Sequence, residues 1–170
     1  MPRAPVVVLA CGNPGRGDDA LGPLLLDRLQ TWLDERGLTG AFELIADVQW
    51  QIDNALDLAE RSLALFIDAG HETPAPFVFA PVRECASTTP LTHALSPGAL
   101  LGVLRQIGEV APPAFVVCVA GQCFALGGGL SAAAADNANQ AFALLVDLCA
   151  DPCPARWQAL ERRYPAASGG

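Results

Sequence analysis

From residue 6 the chain reads Val6-Val7-Val8-Leu9-Ala10-Cys11-Gly12-Asn13-Pro14-Gly15-Arg16-Gly17-Asp18-Asp19-Ala20-Leu21-Gly22-Pro23. The first six residues are continuously apolar and rich in β-branched side chains. That is the pattern of a strand buried on both faces, usual in parallel sheets. Turn formers dominate Gly12 to Asp19, so a loop follows. From Ala20 to about Arg36, Leu21, Leu24, Leu25, Leu29 and Leu33 recur at helical spacing, and Gly37 ends the helix. A buried strand, a glycine-rich loop and an amphipathic helix make the first unit of an α/β fold.

The rest of the chain repeats the alternation. Phe42 to Ala46 reads as a second strand, followed by Asp47. Ile52, Leu56, Leu58 and Ala59 suggest a helix up to Arg61. Leu63 to Ile67 is a third strand, ending at Asp68. Phe77 to Val82 is a fourth, and the prolines beside it place it at an edge. Glu84 to Pro97 reads as a loop containing His93. Ser96-Pro97 caps a helix to about Ile107. Phe115 to Ala120 is a fifth strand, and Gly121 to Gly129 is a second glycine-rich loop. Ser131 caps an alanine-rich helix to about Cys149, and Trp157 to Tyr164 adds a last turn or two. The expectation is one domain over residues 1–170, α/β, with five strands in a mostly parallel sheet and a frayed tail over 165–170.

Composition narrows the function classes. The 170 residues are 52% hydrophobic and 16% charged, which excludes a disordered chain. Eighteen acids face ten bases, all arginine, for a net charge of −8. With no basic run, nucleic acid and anionic membranes are disfavoured as partners. The six apolar residues before Gly12 are too few for a signal-peptide core, so a cytoplasmic protein is expected. The six cysteines form no Cys-x-x-Cys pair and read as reduced thiols, Cys11 and Cys118 packing as small hydrophobes.

Ligands of open α/β sheets sit outside the carboxyl ends of the strands. Asp18 and Asp19, Asp47, and Asp68 all fall there. Carboxylates gathered at one edge repel unless a cation or a proton joins them. Gly12-x-x-Gly15-x-Gly17 matches neither a dinucleotide fingerprint nor a P-loop. Two aspartates at the helix start repel a phosphate, so a nucleotide-binding module is disfavoured. His71 and His93 are the two histidines; either, with two carboxylates, makes a site for nickel, zinc or iron. No G-x-S-x-G elbow is present, and Ser62, Ser87, Ser96 and Ser131 read as caps.

Four segments in order carry a resemblance. They are Val6 to Asn13; Gly17-Asp18-Asp19-Ala20-Leu21-Gly22-Pro23; Phe66-Ile67-Asp68-Ala69; and Thr92-His93-Ala94-Leu95-Ser96-Pro97. Gly127 and Leu130-Ser131 follow. The chain resembles the endopeptidases that mature nickel–iron hydrogenases by trimming the C-terminus of the large subunit. Gly12 to Gly22 and Asp47-x-Gln49-x-Gln51 look like the branch serving NAD-reducing soluble hydrogenases. The resemblance implies a three-layer α/β/α sandwich with a five-stranded mixed sheet. It implies Asp19, Asp68 and His93 as catalytic and metal-contacting residues, with His71 in reserve. In some members the histidine directly follows Ser-Pro, where this chain has Gly98. Nickel would be held by the precursor and recognised there. The implied partner is a hydrogenase large-subunit precursor; the protein itself is expected to be a monomer. Asp47 and Gln49 would line the substrate groove, and Asp18 would cap its helix. A non-proteolytic assembly partner and a self-sufficient small-substrate metallohydrolase are the alternatives.

Overall fold

Strand β1 (Val6–Cys11) is buried along its whole length, and that burial organises the rest of the chain. The computed structural model describes residues 2–85 and 95–164. The sheet has the order β2-β1-β3-β5-β4, with β2 spanning Phe42–Asp47, β3 Leu63–Gly70, β4 Phe77–Pro81 and β5 Ala114–Ala120. β1 pairs in parallel with β2 and β3, and β3 in parallel with β5. β4 runs antiparallel to β5 at the edge, as its prolines foretold.

Alternate residues of the central strands feed two cores. Val6, Val8 and Ala10, with Leu65, Ile67, Val117 and Val119, pack under α1 (Leu21–Arg36), α4 (Ala132–Ala150) and Trp157 of α5 (Pro154–Glu161). Val7, Leu9 and Cys11, with Ala64 and Phe66, pack against α2 (Asn54–Asp57) and α3 (Pro97–Gln106). Helices on both faces make the three-layer α/β/α arrangement.

Ser96 and Ser131 cap α3 and α4 as expected, accepting from the amides of Ala99 and Ala134 at 3.1 Å. Each cap stabilises its helix by about 1 kcal/mol. The helix expected up to Arg61 is only one turn. Glu60 takes a positive φ of 62°, and Arg61 turns inward to bond the carbonyls of Ala4 and Asp57 and the Glu43 carboxylate. β3 runs two residues past Asp68, because Ala69 and Gly70 still pair with Val119 and Ala120. Asp68 therefore sits in the strand rather than after it. His93 and the tail 165–170 lie outside the described residues. Among the described residues no helix is long and apolar enough to cross a membrane.

Candidate active site

The chain leaves β1 in one direction for β2 and returns on its other side for β3. The helix joining β1 to β2 and the helix joining β2 to β3 lie on opposite faces. A crevice must open at the carboxyl ends of β1 and β3, where the strand order reverses. Asp19 follows β1 and Asp68 belongs to β3, so the two flank that crevice.

Strand register sharpens the placement. Asp47 stands opposite Cys11, and Asp68 opposite Cys118. Ala10 stands opposite Ile67, so one step on Cys11 meets Asp68. Asp47, Cys11, Asp68 and Cys118 thus form one row across four strands, on the face that carries α2 and α3.

Asp68 is half-buried, and its carboxylate accepts the Ala69 amide at 2.8 Å. Burial pushes its carboxyl up to about 6; the Ala69 amide opposes this, and the charge of Asp19 adds to it. Asp19 reaches the crevice from a turn of 3₁₀ helix over Gly17–Ala20. Its Oδ2 accepts the Asn13 amide at 2.8 Å. Gly12 at φ 153° allows this approach, since a Cβ there would lie 2.0 Å from the Asp19 carbonyl oxygen. A carboxyl that titrates close to neutrality, beside a second carboxylate, suits general-base work or contact with a cation.

Cys11 lies at the centre of the row, where the sequence suggested only packing. Its Sγ lies 3.5 Å from the Val48 carbonyl. Burial first, then the charges of Asp68, Asp19 and Asp47, push its thiol up to about 12 against the Trp50 amide. Burial also raises Cys118, with Thr73 opposing at 3.2 Å and Asp68 adding to it. Only a thiolate is a good nucleophile, so neither cysteine serves as one at neutral pH. Trp50 packs edge-on to Phe66 below the row (5.4 Å between centroids), and its indole N–H has no partner among the described residues.

The remaining candidates separate. The Asp47 carboxylate accepts from Asn54 Nδ2 at 2.8 Å, beside a groove lined by Gly12, Pro14, Pro23, Ala46 and Val48. Gln49 is exposed. His71 is exposed and packs on Phe124 with 5.9 Å between ring centroids. Among the described residues His71 bonds to neither Asp19 nor Asp68, and no three acidic, histidine or cysteine side chains are gathered to hold a metal ion.

Asp18 departs from its expected role as a cap. It is fully buried. Its carboxylate accepts the amides of Gln122 (2.7 Å), Cys123 (3.0 Å) and Ser131 (2.7 Å), and the Ser131 hydroxyl (2.7 Å). Burial alone would raise this carboxyl, but the four donors outweigh it and hold Asp18 below the ordinary carboxylate value. Of these neighbouring acids, Asp18 is tied down by donors distant in the sequence, and Asp19 is left near Asp68.

No protein-family model and no curated protein matches the chain. Solved structures do resemble it. The [NiFe] hydrogenase maturation protease HycI from Thermococcus kodakarensis KOD1 superposes with a TM-score of 0.63 at 21% identity, over 87% of this chain and 94% of that one. The hydrogenase maturating endopeptidase HybD from E. coli gives 0.63 at 19%, over 84% and 90%. The hydrogenase 2 maturation peptidase from Thaumarchaeota archaeon SCGC_AB-539-E09 gives 0.58 at 19%, over 84% and 95%. What this chain has in common with them is the fold: a five-stranded mixed sheet with helices on both faces.

Proposed function

We propose that this protein is an endopeptidase that removes the C-terminal extension of a nickel–iron hydrogenase large-subunit precursor after nickel insertion. One observation carries the reading. In a fold shared with hydrogenase maturation proteases, Asp19 and Asp68 converge on the crevice where the strand order reverses, close enough for Asp19 to raise the Asp68 carboxyl. The sequence resemblance supports the branch serving NAD-reducing soluble hydrogenases, and a cytoplasmic, monomeric enzyme is part of the same proposal.

In this reading nickel belongs to the substrate, held by cysteines of the precursor. Asp19 and Asp68, with His93 as the third contact, reach the substrate-borne nickel and place the scissile bond at the crevice. Asp68 suits the general-base role, because a carboxyl raised to about 6 holds a proton well and is still charged at neutral pH. Asp19, kept in place by the Asn13 amide, supplies the fixed negative contact. Asp47 and Gln49 border the path of the departing peptide. Burial raises the thiols of Cys11 and Cys118, so neither of these two crevice cysteines is a ready nucleophile at neutral pH.

The test is the mass of the precursor after incubation with this protein, with and without nickel loading. Loss of a C-terminal peptide only from the nickel-loaded sample supports both the protease and the substrate-borne metal. Cleavage in both samples keeps the protease and refutes recognition of nickel. A stable complex with no change in mass overturns proteolysis in favour of an assembly partner.

A further inference from the structure

We infer that Asp18 is a positioning residue for the Asp19 carboxylate, acting by clasping the Gln122–Ser131 segment against the turn that carries both acids. The kinetic part of this inference rests on the proposed protease reading; the geometric part does not.

Asp18 binds both ends of that segment, the amides of Gln122 and Cys123 at one end and the amide and hydroxyl of Ser131 at the other. The Asp18 amide returns a bond to the Cys123 carbonyl at 2.7 Å, and Gly127 donates to the Gly15 carbonyl at 2.9 Å. Fit is close throughout. A Cβ on Gly17 (φ 54°) would lie 2.4 Å from the Cys123 carbonyl oxygen, and one on Gly121 would lie 3.0 Å from the Asp18 Cβ. The Ser131 hydroxyl also accepts from Ala134, which ties the clasp to the first turn of α4. On the other side, the Asp19 carbonyl is pressed against Gly12. The turn is therefore held between β1 and the second loop. Among the described residues the Asp19 side chain adds one bond of its own, from the Asn13 amide. Without the carboxylate clasp the four donors of the second loop lose their shared acceptor, the turn loosens on that side, and Asp19 shifts relative to Asp68. A misplacement of about 1 Å costs on the order of 10²-fold in rate.

The experiment compares Asp18→Asn with Leu63→Ala, which opens a cavity at the far end of the sheet, at temperatures where both remain folded. Ser131→Ala, which removes one of the four donors, supplies a milder variant if Asp18→Asn does not fold. Ser131→Thr keeps the hydroxyl. The first readout is hydrogen exchange of the Asn13 amide, which reports the Asn13–Asp19 bond without any substrate. Exchange about tenfold faster or more in Asp18→Asn or Ser131→Ala, but not in Leu63→Ala or Ser131→Thr, is expected. An Asn13 amide unchanged by loss of the clasp overturns the inference. The second readout is the kinetics of precursor cleavage. A kcat lowered by about 10²-fold in Asp18→Asn with little change in KM, and an unaltered kcat in Leu63→Ala, are expected. Retained kcat in the folded Asp18→Asn protein also overturns it. If the parent protein fails to cleave, the protease reading falls, and the Asn13 amide still decides whether Asp18 positions Asp19.

Discussion

Replacing Asp68 with asparagine should make this protein more stable while abolishing its proposed activity. The unfolded chain releases the Asp68 proton near 3.8, the folded chain near 6. Each tenfold change in proton affinity is worth about 1.4 kcal/mol, so keeping Asp68 charged costs the folded state about 3 kcal/mol at neutral pH. The sign follows from proton counting. Between the two values the native state holds a proton that the unfolded state has lost. Stability contributed by this group is therefore complete below about 4 and is lost as pH rises through about 6. Asparagine never ionises, yet its side-chain oxygen still accepts the Ala69 amide. Asp68→Asn should thus gain about 2–3 kcal/mol over the parent at pH 8 and almost nothing at pH 4. For a domain of this size that corresponds to a rise of about 5–10 °C in Tm at pH 8. Urea unfolding of both proteins across this pH range measures the difference. An asparagine variant less stable than the parent at pH 8, or one whose advantage does not change between pH 4 and 8, would refute the argument that Asp68 is destabilised by burial and by Asp19.

Four further outcomes are expected. Asp19→Ala should fold with a stability within about 1 kcal/mol of the parent, since it loses one partly exposed hydrogen bond, yet leave a nickel-loaded precursor uncut. Precursor processing should disappear in His93→Ala and persist in His71→Ala; the reverse pattern transfers the third contact to His71. In the native protein at pH 8, iodoacetamide should modify the exposed Cys123 and leave Cys11 and Cys149, both raised to about 12, untouched; peptide mass mapping reads this directly, and rapid alkylation of Cys11 would show it to be a thiolate. Ser96→Ala should cost about 1 kcal/mol in urea unfolding through loss of the α3 cap, and no measurable cost would mean that the bond to the Ala99 amide contributes nothing net.

The elements of the fold are local facts, and local patterns encode them. Val6 to Cys11 is apolar at every position because both faces of β1 are covered, and no exposed strand would have that sequence. Leu21, Leu25, Leu29 and Leu33 repeat at the period of the helix they build. Gly37 stops α1 because its φ of 68° is comfortable only for glycine. Ser96 and Ser131 announce helix starts through bonds to residues three positions on. Proline beside Phe77–Pro81 marks an edge because proline cannot donate to a ladder. The carboxyl-edge rule then brings Asp19, Asp47 and Asp68 to one end of the sheet before any coordinates are known.

Tertiary structure decided everything that depends on which strand lies beside which. The order β2-β1-β3-β5-β4 places the crevice between β1 and β3, and no local pattern specifies that order. Register then sets Cys11 beside Asp68 and Asp47. Its thiol reads as core from the sequence, but burial and three neighbouring charges keep it protonated. The split between Asp18 and Asp19 has the same origin. By local pattern they are two identical acids at a helix start, and only the family resemblance set Asp19 apart. As structure one is buried under donors from residues 122, 123 and 131, and the other is left close to Asp68. Periodicity and capping act over three or four residues, so a sequence displays them openly. Carboxylate chemistry is set by burial, by hydrogen-bond donors brought in from more than a hundred residues away and by charges that only folding makes neighbours, and only the folded chain supplies those.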